Sequence, residues 1–342
     1  MGIHQLILGG SVAAGGMITI ITDADNGSSS PYGVPWEKGV GFGTVYSSAT
    51  GAHGASRDTS ALSDSSAMFS ERGGFPLSTS GWGTRFTGAT SDHTQGYDGE
   101  VGPNDDYMVT TNAYDTAERT DVWAVSSSGW GSQVSYPASA PSFTAGRGCA
   151  FGNTNGYLMF TGTGTPYAAT YPWTGSAFGT KHSDPSSTAS DTSQSCSFNN
   201  NDTEVIAGSD STPLVHAWAF SASGMGTARS APSSTPTSSP MQSCDFNDDG
   251  TECAFGEDAS PRVAAYPYSS GFGTKRSAPA SPPANTGNWL RFSDDGELVC
   301  VGSQGNPYIF AYAYSNGWGS KYSNPGTIPS GGIHHGAITS FL

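Results

Sequence analysis

One short signature recurs seven times: a small residue, a bulky apolar one, glycine, then Thr or Ser. The copies are Gly41-Phe42-Gly43-Thr44, Gly81-Trp82-Gly83-Thr84, Gly129-Trp130-Gly131-Ser132, Ala177-Phe178-Gly179-Thr180, Gly224-Met225-Gly226-Thr227, Gly271-Phe272-Gly273-Thr274 and Gly317-Trp318-Gly319-Ser320. Their second glycines are separated by 40, 48, 48, 47, 47 and 46 residues. Even self-similarity at this period marks an array of supersecondary units, so the fold is read from the unit.

Each unit holds four short β-prone segments. In the fifth they cover residues 195–198, 203–207, 214–220 and 227–230. Polar turns such as Asn247-Asp248-Asp249-Gly250 and Ser293-Asp294-Asp295-Gly296 join the first two segments. Asp and Asn bond to nearby backbone and Gly accepts positive φ, as hairpin turns need. Pro31, Pro166, Pro213, Pro261 and Pro307 are expected to open the third strand, where no ladder donor is required. That strand carries large aromatics, as in Tyr171-Pro172-Trp173 and Tyr312-Ala313-Tyr314. The signature then turns the chain into the fourth strand, where glycine permits close backbone approach.

Four strands in roughly 40–50 residues is the β-propeller pattern. The fold expected is all-β: a single seven-bladed β-propeller of four-stranded blades. The C-terminal strand Ile333–Phe341 falls where a first strand belongs and is expected to close blade one beside residues 17–22, with residues 4–8 as the competing segment. Residues 1–14 then form an N-terminal arm and residues 15–342 the propeller. The second unit, at residues 52–80, is short and degraded.

Composition narrows the function classes. Charged residues make up 12% of the chain, and 28 acidic against 13 basic residues give a net charge of −15. Nucleic-acid surfaces need clustered Lys and Arg, so no nucleic-acid partner is expected. No stretch approaches the ~20 apolar residues of a membrane span, so no membrane insertion is expected. The N-terminal segment lacks a positive n-region and is broken by Gly9, Gly10, Gly15 and Gly16, so it does not read as a secretory signal.

Candidate chemistry is sparse. Cys149, Cys196 and Cys244 fall at near-equivalent positions of successive units, and so do Cys253 and Cys300. They read as small apolar strand residues, with no Cys-x-x-Cys pair for zinc. His334 and His335 are neighbours in a strand and face opposite ways, so they do not converge on a metal. Asp23-Ala24-Asp25-Asn26-Gly27 starts like a calcium loop but lacks the Glu of an EF-hand at the twelfth position. No Gly-x-Ser-x-Gly elbow in a strand-to-helix context, phosphate loop or dinucleotide fingerprint is present. The polar segment 88–106 is the place for something special, though it reads as a surface loop. The expectation is a protein with no catalytic centre, no cofactor and no metal.

The glycine-signature units resemble WD-like propeller repeats; Phe246-Asn247-Asp248-Asp249-Gly250-Thr251 looks like the Phe-Ser-x-Asp-Gly-Thr hairpin of that group. Units such as Tyr266-Pro267-Tyr268-Ser269-Ser270-Gly271-Phe272-Gly273-Thr274-Lys275, and the opening Met1-Gly2-Ile3-His4-Gln5-Leu6-Ile7-Leu8-Gly9-Gly10, are similar to propeller proteins of tailed bacteriophages. The resemblance implies a non-enzymatic virion component, tail-associated, attachment or capsid-decorating, docked to other virion proteins by the arm or one disc face. A carbohydrate-binding module, with a host-surface glycan as partner, is the alternative.

Overall fold

The computed structural model describes residues 17–24, 32–37, 41–42, 59–62, 66–69, 74–78, 81–82, 96–112, 120–126, 128–237, 240–293, 295–325 and 333–341. The expected arm at residues 1–14 and the loop-like segment 23–27 beyond Ala24 lie outside them. The described residues are all β, with no helix. Their strands form antiparallel sheets of three or four strands, each built from consecutive segments apart from one. The exception orders Ile333–Phe341, Met17–Ala24, Tyr32–Glu37 and Gly41–Phe42, with Met17 opposite Phe341 and Ile20 opposite Ile338.

The first strands of the sheets are Ile333–Phe341, Thr59–Leu62, Gly96–Val101, Ala145–Phe151, Ser193–Phe198, Met241–Phe246 and Gly287–Phe292. Each lies against the first strand of the sheet before it and of the sheet after it. The core fills the space between neighbouring sheets. Ile206, Val215 and Ala217 of one pack on Met241, Phe255 and Tyr266 of the next. Ala254, Val263 and Ala265 pack in turn on Leu290, Val299 and Tyr312. Large aromatics on the third strands are sealed in this layer with their polar ends satisfied. Tyr171, Trp218, Tyr266 and Tyr312 donate to the carbonyls of Ser139, Ser187, Ser234 and Ser281 at 2.8, 2.8, 2.9 and 2.8 Å. Each thereby ties down the segment that links its sheet to the one before.

The signature glycine has a steric cause. A Cβ on Gly179 would meet the Pro172 ring at 2.8 Å, and one on Gly131 would meet the Ala124 methyl at 3.1 Å. The glycine therefore lies directly on the middle residue of the third strand. That middle residue varies, and the extent of the fourth strand does not follow it strictly: Pro35 and Pro76 hold the position in sheets that keep two-residue fourth strands, Gly41–Phe42 and Gly81–Trp82. Where it is Ala124, Ala219 or Ala313, the signature itself pairs as a strand, at Gly129–Gln133, Gly224–Ala228 and Trp318–Lys321. At Pro172 and Pro267 the sheet has three strands, with the bridges Trp173–Phe178 and Tyr268–Phe272 beside it and bonds from Gly179 N and Gly273 N to the two proline carbonyls, both at 2.8 Å. The uniform four-stranded units expected from sequence are thus corrected at two sheets.

The third-strand prolines are corrected too. Pro166, Pro213, Pro261 and Pro307 follow cis peptide bonds and sit in turns, not in strands. In each turn the residue after proline donates back three residues, as Tyr167 N to Gly164 O at 2.9 Å and Tyr308 N to Gly305 O at 2.7 Å. This places proline at the third position of a type VI turn. Tyr167, Leu214, Arg262 and Tyr308 then take positive φ, and pairing begins one residue later.

Candidate functional site

The residue just before the last apolar residue of each first strand occupies one repeated position. From the third unit to the seventh it is Glu100, Ala150, Ser197, Asp245 and Arg291. Alanine and serine are unremarkable there. Two carboxylates and a guanidinium are not, because the position borders the contact between neighbouring first strands.

These groups sense one another. Burial raises the Glu100 carboxyl to about 8; the Arg291 charge opposes that rise, whereas Asp98 and Asp245 add to it. Burial also raises Asp245, against the pull of Arg291 and hydrogen bonds from Phe292 N and Ser197. Phe292 N donates to Asp245 Oδ2 at 2.9 Å and Ser197 Oγ to Oδ1 at 3.2 Å. Arg291 Nη1 donates to the carbonyls of Cys244 at 3.3 Å and Leu290 at 3.5 Å. Asp98 Oδ2 accepts from Cys149 N at 2.6 Å, and its Oδ1 from Gly99 N at 2.9 Å. Adjacent first strands have no ladder between them, so these side chains take up backbone donors along the junction.

A carboxyl whose affinity for protons is this high is mostly protonated at neutral pH and can both give and take a proton. A cation whose charge it senses, as Glu100 senses Arg291, can stabilise negative charge that develops during a reaction. The cluster is therefore capable of acid–base chemistry, and no sequence motif announced it. Segment 88–106 holds part of it: residues 96–101 form a first strand, not a loop, and carry Asp98 and Glu100. The one available signal was a charged residue at a strand position filled elsewhere by Ala or Ser.

The other expected candidates do not converge on this cluster. All five cysteines are free and buried. Burial pushes the Cys244 thiol up to about 12, away from a reactive thiolate. Asp23 pairs with His335 in the sheet register. No group of three or more His, Cys, Asp or Glu able to hold a metal occurs among the described residues. No described helix is long and apolar enough to cross a membrane.

No protein-family model matches the chain. No curated protein matches it by sequence. Solved structures do. A periplasmic gluconolactonase from Pseudomonas aeruginosa superposes with TM-score 0.68 at 13% identity, covering 94% of this chain and 99% of its own. A protein from Lactobacillus plantarum gives TM-score 0.70 at 10% identity, over 96% and 100%. A 6-phosphogluconolactonase candidate from Bacteroides uniformis gives 0.65 at 12% identity, over 95% and 99%.

This chain shares their fold. The finding overturns the bacteriophage resemblance, and with it the non-enzymatic virion role, the virion location and the glycan-binding alternative. The stretches that carried the resemblance are the glycine signature and its flanking turns. Their composition is dictated by the contact between Gly179 or Gly273 and the third strand, so it reports the blade-like unit and not the particle it belongs to. The aromatics that a glycan would need are spent on packing, since Tyr171, Trp218, Tyr266 and Tyr312 are fully buried.

Proposed function

We propose that the sheets are the blades of one seven-bladed β-propeller closed by Ile333–Phe341, and that the protein is a hydrolase of small cyclic esters with Glu100 as its acid–base group. Contacts between first strands run through every sheet in turn and return from Gly287–Phe292, by way of Ile333–Phe341 and Thr59–Leu62, to Gly96–Val101. That circuit supports a closed ring with the first strands innermost. Glu100, Asp245 and Arg291 then line the centre of the ring, where a propeller has its channel.

What supports the enzymatic reading is the half-buried Glu100 carboxyl on an inner strand, whose proton affinity burial raises to about 8 against the charge of Arg291. In the reaction, ionised Glu100 takes a proton from water as the water oxygen bonds to the ester carbonyl carbon. The charge gathering on the carbonyl oxygen is stabilised by the Arg291 cation. Collapse breaks the ring C–O bond, and the leaving alkoxide recovers the proton from Glu100. The product is an open hydroxy acid, and Glu100 returns to its starting state. Asp245, bonded to Phe292 N and Ser197, positions Arg291. The fold neighbours include proteins named for gluconolactone hydrolysis, which favours a sugar lactone over an acyclic ester.

The test is hydrolysis of five- and six-membered aldonolactones followed by pH-stat, with correction for spontaneous opening. The wild type is expected to accelerate opening, with a rate that climbs through pH 8. Glu100→Gln is expected to lose at least a hundredfold. Equal rates in wild type and variant would remove Glu100 from the chemistry.

A further inference from the structure

A second layer of side chains lies three residues before the Glu100 position, and the backbone sets it apart. The pairing register of the first strands slips at one repeated place. It slips between Gly96 and Asp98, Gly146 and Cys149, Ser193 and Ser195, Met241 and Ser243, and Gly287 and Trp289. Against Asp23 and Ala24 the partners skip from His335 to Ile333. The residues passed over include Tyr97, Arg147, Gln194, Gln242, Asn288 and His334. Each stands four residues before the apolar residue that follows the Glu100 position or its equivalent. A bulge releases its extra residue from the ladder and re-aims it. Among the described side chains, five sheets carry a polar or hydrogen-bonding one at this extra position: Tyr97, Arg147, Gln194, Gln242 and Asn288.

Arg147 is the cation of the set. Its guanidinium lies over the Tyr97 ring, 4.3 Å from the centroid. Its Nε is buried and has no hydrogen-bond partner. No carboxylate lies within ion-pair distance of it among the described residues. The nearby acid Asp210 is engaged by Gln194, whose Nε2 reaches both carboxylate oxygens at 2.9 Å. A buried donor left unpaired costs about 1–3 kcal/mol, and an arginine fork is built to take two oxygens at once. Stacking on Tyr97 holds the guanidinium plane without using any of its N–H groups.

We infer that the bulge-borne layer is an anion-binding subsite in which Arg147 receives a carboxylate or phosphate oxyanion. Tyr97 orients the guanidinium from below, while Gln194 keeps Asp210 from capturing it. Along one strand Tyr97 and Glu100 are on the order of 10 Å apart, so the subsite is separate from the acid–base cluster. The inference does not rest on the hydrolase reading, because binding needs no turnover.

The experiment is calorimetric titration of the full chain with inorganic phosphate and, separately, with glycolate, at constant ionic strength. Saturable binding of at least one probe is expected, weakened tenfold or more in Arg147→Gln. Arg147→Lys, which keeps the charge but not the fork, should fall between them, and circular dichroism must show all three folded. Glu100→Gln should bind like wild type even if it hydrolyses nothing. Phosphate binding alone would assign a phosphoryl group to the subsite, and glycolate binding alone a carboxylate. Absence of binding to either probe by folded wild type, or equal binding by Arg147→Gln, would overturn the inference.

Discussion

Replacing Glu100 by glutamine should make the protein more stable, by an amount that grows with pH. The folded carboxyl has its proton affinity raised to about 8 by burial, from an ordinary value of 4.5. An acid raised in the folded state is favoured below its unfolded value and loses stability as pH climbs toward the folded one. Between those limits the unfolded chain is ionised and the folded chain is not. Linkage at 1.36 kcal/mol per unit gives a penalty of about 1 kcal/mol at pH 5, about 3 at pH 7 and about 5 at pH 9. Glutamine keeps the shape and cannot ionise, so it removes the penalty. An unfolding entropy of about 2.1 cal/mol/K per residue over this length turns 3 kcal/mol into roughly 4 °C. Thermal or urea unfolding of both proteins at pH 5, 7 and 9 reads the effect directly. A stability difference that stays flat across these pH values would refute the claim that Glu100 is held neutral, and with it the basis of its acid–base role.

Two further outcomes follow from buried polar groups. The seam between the fifth and sixth sheets joins Glu204, Arg229 and Tyr268. Arg229 Nε bonds Oε2 at 3.0 Å and Nη2 reaches Oε1, while the Tyr268 hydroxyl bonds Oε2 at 2.9 Å. At the preceding seam the same three positions hold Tyr157, His182 and Phe220, with Tyr157 and Phe220 edge to face at 4.9 Å. Arg229→Met alone strands a buried carboxylate and should cost about 3 kcal/mol in urea unfolding, while the triple change Glu204→Tyr, Arg229→His, Tyr268→Phe should recover most of it. His216 is half-buried and stacked on Trp218, and desolvation lowers its proton affinity to about 4. A histidine kept neutral in the fold gives stability above pH 6.5 that is lost as pH falls toward 4, about 2–3 kcal/mol for a group this enclosed. His216→Phe should flatten that acid limb in a pH series of melting temperatures.

Much of the fold was legible because a repeat multiplies weak signals. One glycine signature is restated seven times, and Cys149, Cys196 and Cys244 fall at matching strand positions, although Cys253 and Cys300 prove to be one residue apart in register. The pairing of Ile333–Phe341 with residues 17–24 could be placed by counting from Gly319. The missing fourth strands were harder to read, since Pro172 and Ala219 stand at equivalent positions in otherwise similar strands. The acid–base cluster was hidden for another reason. Glu100, Asp245 and Arg291 are spread over most of the chain, and each alone is an ordinary charged strand residue. Asp245 and Arg291 lie on first strands that touch, whereas Glu100 lies three first strands away from Asp245 along the chain of contacts and is linked to them through charge. The phage reading failed because composition at the turns is set by steric needs that unrelated proteins of this fold share.

The seams also differ in what weakens them. The Glu204 and Glu252 seams are ionic, and their arginines remain partly open to water, with Arg276 serving Glu252 and Tyr314 as Arg229 serves Glu204 and Tyr268. Added salt or strong acid acts on these first. The Tyr157 and Tyr107 seams are aromatic, the latter through Tyr107 against Trp173 at 5.1 Å. Salt leaves them alone, whereas cooling drains the hydrophobic part of their attraction. One repeating architecture therefore has two classes of joint, and the solvent decides which of them gives way first.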